Sequence, residues 1–479
     1  MNGSKLISLL ETFSPVALNR FRRFVHSPYF NENESLVALF ELIQQYLAGD
    51  KSALEAKQMD KRMVWKRLYK NKPYDDAHLR GLASALLQLA YQFLHAESCR
   101  ENPLQEKLAV MEQLKNPAMD KHFRGLARQF ARYQEEKPSE GSDPYFQSYL
   151  FHRLHHQQAE ERGERQKDFG LLETADHFLD AYYFLEKLRH YCDALGYQSF
   201  LSRKPDINLP AGFWEFLSGS LLPGFPLIRA YYLVARMLSH PEEEQYFTML
   251  KTLLFEHFRQ FTEEDSLTLW IHLINYCIHK KINAGRADFY PPLFEVYQKA
   301  IETGLLMQSG VLQPQHYKNI ITVGLQVEAF EWVEHFIREY TQLLPEGNQE
   351  NALAYNLAKV YFSRQQYEKV IEKLREVEYD DQVYALGSKL MLLRTYFELR
   401  EFLALDSLVE SFRIFLRRKK DISREVRQQY MNVLRFVRKL SRVDPRDKAA
   451  IHKLREEVKA CNALAAKRWI MEKVEELEG

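Results

Sequence analysis

His152 and His156 stand one helical turn apart in FHRLHHQQAEE, with Glu160 a turn further on. That spacing would put two imidazoles and a carboxylate on one side of a helix, a donor set able to hold a divalent metal ion. A hydrolytic zinc site also needs a recognisable glutamate base or a distant third ligand, and no motif supplies either. His190 lies two residues before Cys192, but nothing identifies a third group to orient the imidazole, and the strand-turn-helix context of a nucleophile elbow is missing. The stretch from Gly304 to Gly310 lacks the Lys-Ser/Thr ending of a phosphate-cradling loop. The expectation is a protein that is not an enzyme and uses neither a cofactor nor a resident metal.

The densest chemistry is cationic. Residues 413–459 hold sixteen Lys or Arg against six Asp or Glu, in a chain whose totals, 66 against 65, nearly cancel. After Asp421, a suitable helix cap, the segment ISREVRQQYMNVLRFVRKLSRV keeps an uninterrupted helical period. At about 100° per residue, Arg424, Arg427, Arg435, Arg438, Lys439 and Arg442 fall within an arc of about 120°. Val426, Tyr430, Val433, Leu434, Val437 and Leu440 lie on the other side. Arg417, Arg418, Lys419 and Lys420 extend the patch just before the cap. Surface helices usually intersperse acids among their cations, and this arc has none. Six like charges over some 27 Å of axis call for an anionic partner or an acidic neighbouring segment. Arginine forks suit carboxylates and phosphates alike. The readings are therefore an acidic protein or peptide, or nucleic acid held by its phosphates without base reading. The basic face has no interleaved aromatics and no helix-turn-helix or RNA-binding signature, which weighs against sequence-specific recognition. The plainest alternative is a solvated rim, partly paired with acids of the same chain.

These side chains must be positioned by helices. The 479 residues include only 18 Gly and 17 Pro, and 46% are apolar, which excludes a disordered chain and disfavours a turn-rich β fold. Near-neutral total charge excludes a uniformly basic nucleic-acid coat. Apolar spacings of 3 and 4 recur almost end to end, so the fold class is all-α. We expect an N-terminal helical domain over 1–100, helical hairpins over 101–203, a Pro/Gly-rich connection over 204–226, and a second helical array over 227–479 that ends in the basic helices. The opening MNGSKLISLL is too short for a signal-peptide core. No apolar run approaches the roughly 20 residues of a membrane span. Cys99, Cys192, Cys277 and Cys461 form no CxxC pair and read as reduced thiols. A cytoplasmic protein with no membrane association is the expectation.

Within the last array, NALAYNLAKVYFSRQQYEKVIEKLREV sets Ala354, Leu357, Ala358 and Tyr361 on a first helix and Tyr367, Val370, Leu374 and Val377 on a second. Shifted by 35 residues the pattern returns as Leu392, Leu393 and Tyr396, then Phe402, Leu405, Val409 and Phe412. Shifted back by 37 it has Tyr317, Ile320, Ile321 and Gly324, then Phe330, Val333 and Ile337. Periods of this size are the mark of stacked helical units. Over residues 314–418 the pattern resembles the tetratricopeptide-repeat family, although no unit carries that family's Trp, its closing Pro or the full Gly and Ala signature. The resemblance implies a right-handed solenoid in which the first helix of each pair lines a concave groove. It places Tyr355, Asn356, Lys359 and Phe362 on that wall, with Lys318, Asn319 and Thr322 before them and Leu390, Met391 and Arg394 after. Such a trough could grip a carboxylate or an acidic peptide. Members that hold a chaperone's C-terminal carboxylate use five Lys, Arg and Asn side chains; only Lys318 and Asn356 match here, and Gly387 and Met391 occupy two other places, which makes that particular activity unexpected. The final segment, Asp447 to Leu477, could be one long helix packed over the last hairpin.

Overall fold

The computed structural model describes residues 3–47, 60–70, 72–136, 141–163, 169–197, 207–308, 310–345, 349–375, 382–419 and 422–478. Among these the chain is all-α apart from a two-residue antiparallel pair, Met307–Gln308 against Val311–Leu312. No described helix is long and apolar enough to cross a membrane. Chain contacts divide the protein into two units, Met1–Tyr183 and Phe184–Gly479.

The first unit opens with α1 (Lys5–Glu11), α2 (Pro15–Val25), α3 (Glu34–Leu47), α4 (Lys61–Leu68) and α5 (Asp76–Glu101). Side chains that accept from free backbone amides start four of them: Ser4 from Ile7, Ser14 from Ala17, Asp60 from Arg62 and Met63, and Asp75 from His78. Their apolar faces meet around Phe21, whose ring lies 5.0 Å from Phe40, 5.2 Å from Phe93 and 5.9 Å from Phe13. Next come α6 (Pro103–Gln113), α7 (Asp120–Glu136) and α8 (Ser142–Glu161). These share a smaller core in which Phe130 stacks on Phe151 at 4.3 Å.

The division between the units falls inside the next helix, α9 (Phe169–Tyr197), and not in the Pro/Gly-rich stretch. The described part of that stretch, 207–226, is packed into the second unit. Phe213, Leu217, Leu221 and Phe225 are buried, and Phe213 sits 4.8 Å from Phe184. Composition misleads at this point because Gly212, at φ +75°, turns the chain into the short α10 (Phe213–Phe216) and does not release it to solvent.

The second unit continues with α11 (Pro226–Ser239), α12 (Gln245–His257), α13 (Glu263–Asn275), α14 (Tyr290–Glu302), α15 (Pro314–Gln326) and α16 (Phe330–Tyr340). It then runs through α17 (Gln349–Ser363), α18 (Tyr367–Arg375), α19 (Gln382–Glu398), α20 (Phe402–Arg418), α21 (Arg424–Leu440), α22 (Lys448–Ala460) and α23 (Lys467–Glu478). Consecutive helices pack on one another from α11 to α21, and α11 also touches α13, α15 touches α17, α17 touches α19, and α21 touches α23.

Three turns in this unit are copies of each other. Glu328, Gln365 and Arg400, 37 and 35 residues apart, all take left-handed backbone at φ 57–58°. Each amide bonds three residues back, and the following amide bonds five residues back: Ala329 to Gly324, Gln366 to Tyr361, and Glu401 to Tyr396. This is the Schellman closure of a helix end. Each turn is followed by a bulky ring that begins the second helix, Phe330, Tyr367 and Phe402. Ile321 and Val333, Ala358 and Val370, and Leu393 and Leu405, which stand at equivalent places in the three units, are all buried. At Gly324 a Cβ would run into Val333 Cγ2, so the approach of α15 to α16 requires glycine.

Two substitutions test these turns. Gln365→Gly removes a left-handed penalty of roughly 1–2 kcal/mol, partly offset by the freedom glycine adds to the unfolded chain. It should therefore raise the denaturation midpoint. Gly324→Ala should lower it, by about 1–3 kcal/mol of overpacking. Urea titrations of the two variants read both effects.

Candidate functional site

Helix α21 takes its orientation from its apolar side. Val433, Leu434, Phe436, Val437 and Leu440 are buried together with Leu416, Ile451, Val458 and Trp469, and Ser423 caps the helix by accepting from the amide of Val426. The expected caps and cations Asp421 and Lys420 lie outside the described residues. With that face inward, the cations turn toward a cleft of about 920 Å³ between α20, α21 and α22. Arg413 and Arg417 of α20, Arg435, Arg438 and Lys439 of α21, Arg442 just beyond its end, and Lys453 of α22 line it, with Glu457 the only acid among the lining residues.

Five members of the basic face read from the sequence, Arg417, Arg435, Arg438, Lys439 and Arg442, thus meet in one concavity. Two do not. Arg427 donates instead to the carbonyls of Lys419 and Ile422, 2.9 and 3.2 Å away, and so ties down the turn after α20. Arg424, in the first turn of α21, is exposed and stands outside the lining.

Acids absent from the arc of α21 arrive from its neighbours. Glu410 of α20 pairs with Arg438 at 2.7 Å and with Arg413 at 3.1 Å, Asp406 reaches Arg442 at 3.5 Å, and Glu457 of α22 pairs with Lys439. The hydrogen bond from Lys439 and the nearby charges of Lys453 and Arg435 hold the Glu457 carboxyl below the usual carboxylate range. The i, i+4 spacing of Asp406 and Glu410 was visible in the sequence, but which helix they would face was not. Arg417, Arg435 and Lys453 make no ion pair among the described residues, and the Arg435 guanidinium lies 4.5 Å from the centre of the Phe436 ring.

The residues expected on a groove wall have the following surroundings. Lys318 is exposed, Asn319 accepts from Gln315 at 3.4 Å, and the charge of Lys318 acts on Lys359. Burial, then that like charge, lowers the Lys359 ammonium from its ordinary range, and its Nζ sits 5.3 Å from the Tyr355 ring centre. Asn356 is a correction: it is 2% exposed and its amide donates to the Ala352 carbonyl at 2.8 Å. One residue beyond Tyr355 is a rotation of about 100°, enough to carry a side chain from the wall into the packing beside it. Arg394 lies between the rings of Phe362 and Trp469, 4.4 and 5.3 Å from their centres.

Trp469 belongs to the final helix. The segment Asp447 to Leu477 is broken: α22 ends at Ala460, Ala466 takes φ +51°, and α23 turns back. The Lys467 ammonium secures this bend by donating to the carbonyls of Lys459 and Cys461. From α23, Trp469 Nε1 and Lys473 Nζ both donate to Glu398 at 2.9 Å. The chain's own last helix therefore packs over Arg394.

The remaining constellations are packing features. The His152 ring stacks on Phe178 at 5.7 Å, and burial, with the charge of His155, lowers its basicity. His156 lies 4.0 Å from Glu160. The one group of three metal-type ligands among the described residues is elsewhere, at His240, Glu242 and Glu243 in a surface turn. Burial raises the Cys192 thiol well above its ordinary range, and its Sγ faces the Tyr231 carbonyl, so it is unsuited to act as a nucleophile. Sequence reading missed the buried carboxylate of Asp265, which accepts two bonds from Arg189 Nη2 at 2.5 and 2.6 Å and one from the Tyr231 hydroxyl at 2.8 Å. Glu263, Glu264 and Asp265 read as an ordinary acidic first turn of a helix, with no mark to single one out.

A separate pocket of about 230 Å³ is lined by His272, Asp193, His279 and Lys280 among others. Burial pushes the His272 imidazole down to about 4. The unfolded chain protonates this group near the ordinary value of about 6.5, so stability is full above that pH and is lost as pH falls toward 4, by on the order of 3 kcal/mol. His272→Gln should flatten the stability curve in that window, measured by urea denaturation at stepped pH. No family model, curated protein or solved structure matches the chain, and the chemistry of the cleft carries the functional reading.

Proposed function

We propose that the protein is a non-enzymatic helical-repeat scaffold that holds an acidic protein partner. The second unit is read as a tetratricopeptide-like right-handed solenoid, a reading supported by three equivalent turns at the repeat spacing and by contacts between alternate helices. The free thiols suit a cytoplasmic setting. One observation carries the partner assignment: the cleft between α20, α21 and α22, where seven cations converge on a single lining acid, Glu457, and where Arg417, Arg435 and Lys453 make no ion pair among the described residues.

Binding of nucleic acid through the same stripe is the competing reading. Single strands are normally held by a basic groove combined with rings on which bases stack. The cleft lining contains no aromatic residue, which favours carboxylates on a protein. The concave wall at Tyr355 and Lys359 is a second, smaller contact surface in this reading, shortened at Arg394 by α23.

The two readings separate by fluorescence anisotropy with a poly-glutamate peptide and a random-sequence RNA as salt is raised. The peptide should bind at low salt. The triple variant Arg417→Glu, Arg435→Glu, Lys453→Glu should weaken it by at least about tenfold with unchanged circular dichroism. Tighter binding of RNA than of peptide, with a steep log-log loss in salt, would overturn the protein reading in favour of nucleic acid.

A further inference from the structure

The cleft is not purely ionic. Between its cations lie Met431, Val443 and Ala450, each half-buried, with Leu454 beneath. A bare phosphate chain would satisfy the charges and leave these apolar groups wet. Their placement asks for a ligand that brings carboxylates and hydrocarbon together. Size narrows the choice further. A cleft of about 920 Å³ is several times larger than a phosphate group needs, and it accommodates about two turns of a helix roughly 10 Å across.

Backbone chemistry decides between helix and extended chain. An extended peptide needs acceptors for its amides. The only acceptor-bearing side chains in the lining are Gln428, Asn432 and Glu457. Of these oxygens, that of Asn432 already accepts from Gln428 at 3.1 Å and the Glu457 carboxylate pairs with Lys439, so the lining offers too few acceptors for the row of amides along an extended chain. Every other polar side chain there is a cationic donor. A helix satisfies its own amides and presents only side chains.

Resting on the proposed scaffold function, we infer that the cleft receives an amphipathic acidic helix from a protein partner. Its apolar edge covers Met431 and Val443, and three carboxylates meet Arg417, Arg435 and Lys453. The cations already tied to Glu410, Asp406 and Glu457 keep those partners and shape the walls. Because the three free cations come from three different helices, a correctly seated ligand must place its carboxylates around one face and not along a line.

The test uses the full-length protein and two labelled peptides of about 18 residues, long enough to form a helix. Both contain the same Glu, Leu and Ala residues, one with helical periodicity and one rearranged to destroy it. The periodic peptide should bind at least about tenfold more tightly. Met431→Ser with Val443→Ser should weaken the periodic peptide by about fivefold or more and leave poly-glutamate binding unchanged. Equal affinity for the two peptides, or no response to the apolar double variant, overturns the helix inference while poly-glutamate binding keeps the scaffold reading in place. Binding of RNA with none of either peptide overturns both.

Discussion

The helices of the second unit depend on how closely paired helices can approach. A helix with one apolar face is stable only when a neighbour covers it. From α15 to α20 part of that cover comes from the helix just beyond a three-residue turn. The turn is tight because Glu328, Gln365 and Arg400 accept a left-handed backbone that side chains disfavour. The burial of Ile321, Val333 and their counterparts in the other two units outweighs that strain. Gly324 and Gly387 show the same pressure from the other side. At Gly387 an added Cβ would collide with the Tyr355 hydroxyl, so α19 reaches the neighbouring helix only because a side chain is missing.

The same packing creates the charge pattern. Once the hydrophobic side of α21 is fixed inward, its arginines have to share a concavity with α20 and α22. Nearby acids then relieve part of the repulsion. Glu410 serves two arginines at once, and Glu457 is held ionised by the lysines and arginine around it. Exposed pairs of this kind contribute little stability individually. Their consequence is geometric, because they fix four cations and leave Arg417, Arg435 and Lys453 without an ion pair among the described residues. That residue of uncompensated charge, placed around half-buried Met431 and Val443, gives the cleft its proposed selectivity for carboxylates carried on an apolar scaffold.

Buried polarity is spent differently elsewhere. Asp265 is buried yet accepts bonds from Arg189, Tyr231 and Thr262, so α9, α11 and the start of α13 are pinned at one point. A carboxylate satisfied this completely is a fixed joint, and removal of one partner would leave an unpaired charge inside the protein. At the other end of the unit, Glu398 receives Trp469 and Lys473 and so holds α23 against α19. The basic cleft differs from both, since its charges are neither buried nor fully answered.

Local pattern alone determined a good deal. Periodicity fixed the helical class, the buried sides of α15 to α21, and the repeat spacing, because a helix obliges residues three and four apart to share a face whatever surrounds it. The shared side of Arg435, Arg438, Lys439 and Arg442 followed from the same rule. What lay beyond it were relations between segments distant in the chain. The turning of Arg427 back to Lys419 and Ile422, the arrival of Asp406 and Glu410 opposite Arg442 and Arg438, the burial of Asn356, and the fold-back of α23 onto Arg394 all depend on which helices become neighbours. The division inside α9 belongs with these, since a run of Pro and Gly reveals where a chain can bend but not whether the bend is packed. Angular position on a helix is a property of sequence; the identity of the surface facing that angle is set only when the helices assemble.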